Sequence, residues 1–256
     1  DVQAQRLIQL YSDAEVRILK DLNAALLKGN STRNLESALA NVKIIRSQLL
    51  AGASTWCTET LPAMYKLGSA VAEKDIAAAG LEAVGFGNIH QTAMKVLADN
   101  TYGRLLDVDQ VIGRRVDDIY RAAQLDEVQG TITGVNTWKQ MAKNLRANLA
   151  DKGITGFVDR SGRAWEMTNY TEMVAKTATK ETFLQGSANR LLENDIDLVQ
   201  ISDTSWSGIC EHCKAWKGRV VSLTGRDTRY PSLSEARADG VFHPRCTHIY
   251  MAYFED

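Results

Sequence analysis

Six side chains able to do metal or thiol chemistry crowd the last 47 positions of the chain: Cys210, His212, Cys213, His243, Cys246 and His248. Their order is Cys210-x-x-Cys213, a long spacer, then His243-Pro244-Arg245-Cys246-Thr247-His248. Thiolate sulfur and imidazole nitrogen are the donors zinc prefers, four of them in a tetrahedron. A C-x-x-C turn points two sulfurs at one spot, and His243 and Cys246 repeat the i, i+3 spacing. His248 lies two residues beyond Cys246, so on an extended strand it shares that face. The pattern favours Cys210, Cys213 and Cys246 as ligands, with His243 or His248 as the fourth, around a structural zinc ion. His212, inside the turn, is the weaker candidate. Two other readings stay open: reduced thiols buried as small apolar groups, and a disulfide, which intracellular assembly disfavours.

Catalytic uses of the same residues fit less well. A redox C-x-x-C needs a thioredoxin-like strand–helix setting. A zinc deaminase needs H-x-E ahead of P-C-x-x-C; here the C-x-x-C comes first and there is no H-x-E. Cys210 and His243 can be drawn as a nucleophile and base, but their spacing does not demand it. There is no P-loop, G-x-S-x-G or G-x-G-x-x-G. Four ligands drawn from the cluster would close the coordination sphere and leave no open position. A structural rather than enzymatic role is therefore expected, the alternative being a metal-dependent nuclease or thiol hydrolase. Cys57, alone in a helical region, reads as filler, and His90 as a surface residue at a helix start.

The elements that must carry this cluster fall into two regions. With 45% hydrophobic and 24% charged residues, the 256-residue chain has the composition of an ordinary globular protein. Its 30 basic and 31 acidic side chains nearly cancel, which argues against a dedicated nucleic-acid coat. No apolar run approaches the ~20 residues needed to span a bilayer. Only three prolines interrupt it, so long helices are expected. Leu7, Tyr11, Ala14, Ile18, Leu22 and Ala25 recur at helical spacing. After Gly29 to Thr32, the stripe Leu35, Leu39, Val42, Ile45 and Leu49 predicts a second helix, antiparallel to the first. A third helix is expected to begin near Pro62, carrying Met64, Leu67, Val71 and Ile76.

Gly80 to Asn88 reads as a loop. A long helix over 89–124 then carries Met94, Leu97, Thr101, Leu105, Val108, Ile112 and Ile119. That rod, roughly 50 Å long, exceeds what a small core covers, so the helical stripes of residues 1–150 are expected to pack mostly against one another and against neighbouring subunits. Gly130 and Gly134 bracket a break before a helix with Trp138, Met141, Leu145 and Leu149. Lys139, Lys143 and Arg146 form its solvated side. A boundary near residue 150 is expected to separate a helical region (1–150) from a smaller α+β module (151–256). The module begins with a hairpin over 154–166 and a helix carrying Tyr170, Val174, Thr177, Leu184 and Leu191. Short strands at 198–201, 220–223 and 249–254 follow, with a short helix over 232–239 capped by Ser232 or Ser234. Trp165, Tyr170, Trp206 and Trp216 read as core or interface anchors.

Trp165, Tyr170, Met173-Val174-Ala175, Thr177-Ala178-Thr179 and Glu181 lie in and just before the helix expected there. Asn189, Asp197-Leu198-Val199, Ile201-Ser202, the C-x-x-C with Trp216-x-Gly218, Tyr230 to Ala236 and Gly240 to His248 follow in order. With these residues, 165–250 resembles the C-terminal half of phage minor capsid proteins of the minor capsid protein 2 type, distantly related to Mu F-type head morphogenesis proteins. Thr204 stands where a histidine is expected, so that loop supplies no further ligand. The resemblance implies a virion protein of the head or neck, assembled in the bacterial cytoplasm. It implies a position at the portal vertex or capsid interior and a role in head assembly or genome packaging and delivery. The implied partners are the portal protein, the major capsid protein, or both, with self-association open. DNA contact is unsupported by the net charge, and no membrane partner is implied. Wider relatives carry toxin or enzyme domains after this region, and none is expected in this sequence.

Overall fold

In the computed structural model, residues 2–27, 32–84, 87–133, 157–158, 164–165, 167–203 and 211–255 are described. Helices α1 (Val2–Leu27), α2 (Thr32–Ala78) and α3 (Asn88–Thr133) come first. The hairpin β1 (Phe157–Val158) and β2 (Ala164–Trp165) follows, then α4 (Met167–Glu193) and β3 (Leu198–Ile201). The chain continues through α5 (Glu211–Trp216), β4 (Val220–Ser222), α6 (Leu233–Ala238) and β5 (Tyr250–Ala252). Long helices followed by a small α+β region with a Cys/His group are the expected class. Two compact units form, each from two stretches: Asp1–Trp56 with Thr101–Glu172, and Cys57–Asn100 with Met173–Asp256. The boundary expected near residue 150, the helix expected around Trp138, and Trp206 lie outside the described residues.

In the first unit the α1 stripe is covered as its spacing predicts, with Leu7, Tyr11, Ile18 and Leu22 fully buried. The antiparallel pairing with α2 shows in three contacts. The Trp56 indole donates to the Gln3 carbonyl at 2.8 Å, Leu10 lies against Gly52, and Arg17 donates to Gln48 at 3.2 Å. On α3, Asp109 accepts a two-pronged pair of hydrogen bonds from Arg46 at 2.8 and 2.7 Å. Gly113, one turn after Asp109, leaves room for that guanidinium: a Cβ there would sit 2.4 Å from Arg46 Nη1. Leu105, Val108, Ile112 and Val116 are buried within the chain. Met94 and Leu97, earlier on the same stripe, are only partly buried. The helix also runs through Gly130 to Thr133, with no break at Gly130.

Two further corrections concern α2. No helix begins at Pro62; the residue lies inside a continuous 47-residue helix. Proline removes one i→i−4 hydrogen bond, and the fully buried Leu61 and Tyr65 on either side hold the helix through it. The buried face there is Leu61, Tyr65, Gly68, Ala72 and Ile76, whereas Leu67 is half exposed. The reason lies in the second unit, where α2 and α4 cross with their backbones touching. A Cβ on Gly68 would fall 1.9 Å from the Phe183 carbonyl oxygen, and one on Gly186 2.0 Å from that of Tyr65.

A buried polar network lies beside this crossing. Tyr65 Oη accepts from Asn189 at 2.6 Å and stands 2.9 Å from His90 Nδ1. His90 Nε2 is 2.7 Å from Glu193, and Arg190 bridges Glu193 at 3.2 Å and Glu73 at 2.8 Å. His90 is thus a fully buried link between helices and not a surface residue.

The three-stranded sheet has the order β4-β3-β5 and is antiparallel throughout, with Val199 opposite both Val221 and Ala252. Ser222 and Thr224 donate to the carboxylate of Asp197, which ties the start of β3 to the end of β4. The hairpin pairs Phe157 with Trp165.

The helix crossing generates a paired prediction. Gly186→Ala must drive a methyl group into a backbone carbonyl, which cannot swing aside as a side chain can. It is expected to lower stability by about 1–3 kcal/mol or more. Gly103→Ala, where a Cβ meets nothing within 4 Å, is expected to raise it by about 0.5–1 kcal/mol. Chemical denaturation of both variants checks the contrast.

Candidate metal centre

The C-terminal core joins Val199, Ile201 and Val221 of the sheet to Cys213, Trp216, Phe242, Cys246 and Tyr250. Cys213 sits in the short helix α5, where it and Trp216 face inward. The Trp216 indole donates to Asp239 at 3.1 Å, which fastens α5 to the end of α6. Helix α6 starts at Ser232, whose hydroxyl accepts from the Glu235 amide while the Glu235 carboxylate accepts from the Ser232 amide. This reciprocal cap satisfies two amides that the first turn leaves unpaired. The helix ends at Gly240, with φ of +93°, where the amides of Gly240 and Val241 return to the carbonyls of Arg237 and Ala236. That left-handed stop turns the chain into the His243 segment.

The His243–Cys246 segment is a tight turn. The Cys246 amide donates to the His243 carbonyl at 2.9 Å, Pro244 follows His243, and Arg245 has φ of +66°. Proline second and a left-handed residue third are the marks of a type II turn, which brings the first and fourth side chains to one side. The segment docks along one face of α4. The Arg245 amide donates to Thr177 at 3.4 Å, Lys180 Nζ to the Cys246 carbonyl at 2.8 Å, and the Tyr250 hydroxyl to the Leu184 carbonyl at 2.8 Å. Phe242 meets Tyr250 edge-on at 5.7 Å, with Lys180 Nζ 5.2 Å from its ring centre. Burial lowers the Lys180 pKa, and the neighbouring Cys246 opposes that shift.

These supports bring Cys213, His243 and Cys246 together. One donor atom from each lies within 4.8 Å of the others. The two sulfurs are 3.8 Å apart, and Cys246 Sγ is 3.6 Å from His248 Nδ1. No disulfide joins Cys213 and Cys246. His243 Nδ1 lies 2.8 Å from the Pro244 carbonyl. A proton on Nδ1 satisfies that oxygen and leaves the Nε2 lone pair as the donor. His248 is buried, and its pKa is lowered by burial and then by the charges of Lys180, His243 and Lys217. It is therefore held in the neutral form that binds metals.

Of the five ligands expected, Cys213, His243 and Cys246 form one group, His248 touches it through Cys246, and Cys210 lies outside the described residues. His212 is exposed and packs over Gly240 instead. Burial pushes the Cys57 thiol, far from this cluster in sequence, up to about 12. Lys180 is the participant that sequence reasoning missed. Its place three residues after Thr177 on the docking face of α4 was the available signal.

The chain was compared with known proteins. A family model described as phage minor capsid protein 2 matches residues 1–256, the whole chain. The chain belongs to the phage minor capsid protein 2 family. The family is one of phage structural proteins, and membership extends the resemblance seen over 165–250 to the helical part as well. No curated protein and no solved structure matches the chain. Among the described residues of this minor capsid protein, no helix is long and apolar enough to cross a membrane.

The sheet beneath the centre carries its own pH dependence. Burial works to raise the Asp197 pKa, but hydrogen bonds from Ser222, Thr224 and the Asp227 amide outweigh it and hold the carboxyl below its ordinary value. A depressed folded pKa means stability that is present above the unfolded value of about 3.9 and lost as pH falls through the folded value. Asp197→Asn is expected to cost about 1–3 kcal/mol at neutral pH, a difference that shrinks below about pH 4. Unfolding curves for wild type and variant at pH 7 and pH 3 check this. A difference independent of pH would contradict it.

Proposed function

We propose that this minor capsid protein works as a structural component of the phage head, at the portal vertex or on the capsid interior. There it assists head assembly or genome packaging and delivery. The observation that carries this reading is the family match along the entire chain. The partners we infer are the portal protein, the major capsid protein, or both. The near balance of 30 basic and 31 acidic side chains favours protein partners over DNA. His243 is exposed, but the burial of the two cysteines and of His248 supports a structural part over a catalytic one. Cys213, Cys246 and His248 are 2%, 7% and 4% exposed, so a nucleic-acid or peptide substrate has little access to them.

The test is genetic and biochemical. Purified phage particles are expected to contain the chain after nuclease treatment and washing. Cross-linking is expected to join it to portal or capsid protein. A phage lacking it is expected to yield heads that are empty, malformed or unable to deliver DNA. A chain present in infected lysate yet absent from washed particles would contradict the proposal. So would normal particles made without it. DNA cleavage or thiol hydrolysis by the purified chain would favour the enzymatic alternative.

A further inference from the structure

The geometry points to a structural zinc site in this chain, with the Cys213 and Cys246 thiolates and the His243 imidazole as ligands. Three independent observations carry it. The first is spacing. Two sulfurs each ~2.3 Å from a tetrahedral zinc stand about 3.8 Å apart, and a sulfur and a nitrogen at ~2.3 and ~2.05 Å stand about 3.6 Å apart. Cys213 and Cys246 show the first separation, at 3.8 Å, and a donor nitrogen of His243 lies within 4.8 Å of both sulfurs; the second separation is met by Cys246 and the neighbouring His248, at 3.6 Å.

The second observation is strain. Phe242 has φ of +60° and Arg245 has φ of +66°, so two residues with full side chains sit left-handed on either side of His243-Pro244. Side chains with a Cβ disfavour this conformation, which persists where the surroundings over-determine it, ligand clamps among them. Here the strain produces the turn that sets His243 and Cys246 side by side. The third is the orientation of His243. Its Nδ1 lies 2.8 Å from the Pro244 carbonyl, which leaves Nε2 as the metal-donor atom of the ring.

Zinc would replace a proton on each thiol, releasing those protons to solvent, and would take the lone pair of neutral His243. Lys180 lies beside the thiols and donates to the Cys246 carbonyl, so its positive charge partly offsets the negative charge the thiolates bring. His248, already against Cys246, can complete the tetrahedron. The role is structural, because Cys213 and Cys246 belong to the hydrophobic core itself.

The experiment uses the full chain purified under reducing conditions without chelator. About one zinc per chain is expected after dialysis. Replacement by cobalt is expected to give the intense visible bands of a tetrahedral thiolate site. Sulfur-to-cobalt charge-transfer intensity then counts the thiolates: two are expected, from Cys213 and Cys246. Cys213→Ser and Cys246→Ser are expected to lose the metal, and Cys57→Ala to keep it. The wild-type cobalt spectrum needs no variant, so a substitution that prevents folding does not remove the test. Substoichiometric zinc with a pale octahedral cobalt spectrum would overturn the proposal. So would thiol-trapped protein lighter by two hydrogens, with a Cys213–Cys246 disulfide found on digestion. Neither result bears on whether the chain resides in the phage particle.

Discussion

The approach of Cys213 to Cys246 is the contact on which the C-terminal region depends. The two residues are 33 positions apart and neither lies in a strand, so no sheet ladder holds them together. What surrounds them is economical. Helix α5 has six residues, α6 has six, and β4 and β5 have three each. Elements so short gain little from their own hydrogen bonds, and an isolated helix of that length does not persist in water. Their stability must come from the core they share and from whatever ties its corners. Trp216 holds α5 to α6, Tyr250 and Lys180 hold the last segment to α4, and the cysteine pair closes the remaining side.

The helical part rests on a different physics. Its long stripes bury Leu, Ile, Val and Tyr side chains inside the chain, and the charged exceptions Arg46, Asp109 and Arg190 are paired. Arg46 meets Asp109 in a planar fork, the geometry that makes a guanidinium–carboxylate pair directional as well as attractive. Tyr65, His90, Asn189, Arg190 and Glu193 form a network in which a partner lost leaves a buried polar group exposed to no water. Such networks specify a single packing because alternative registers would strand their members.

Much of this was legible in the residues, and the failures share a cause. The α1 stripe, the antiparallel α1–α2 pair, the hairpin at Phe157 and Trp165, and the Ser232 cap follow from periodicity and from capping chemistry. So does the concentration of candidate ligands, because zinc chemistry restricts residue type and spacing together. Apolar periodicity misread the second half of α2, because the face that packs there is built on Gly68 and Ala72, while the larger Leu67 points away. Where backbones touch, the absence of a side chain is the signal, and hydrophobic pattern does not record it. His90 was misplaced for a related reason. Its partners Tyr65 and Glu193 are distant in sequence, and only the fold reveals that a polar residue is satisfied in the interior. Pro62 marks a helix start in isolation, yet the buried residues on both sides outweigh the loss of one hydrogen bond.

The proposed zinc ion would hold the C-terminal core together through the Cys/His cluster. Hydrogen exchange read by mass spectrometry, on reduced protein with and without a strong chelator, tests it most directly. The account predicts that chelation removes protection from the segments around α5, the His243–Cys246 turn and β5, while α1 and the first half of α2 keep theirs. Unchanged protection at the Cys213 and Cys246 segments after verified metal removal would contradict it.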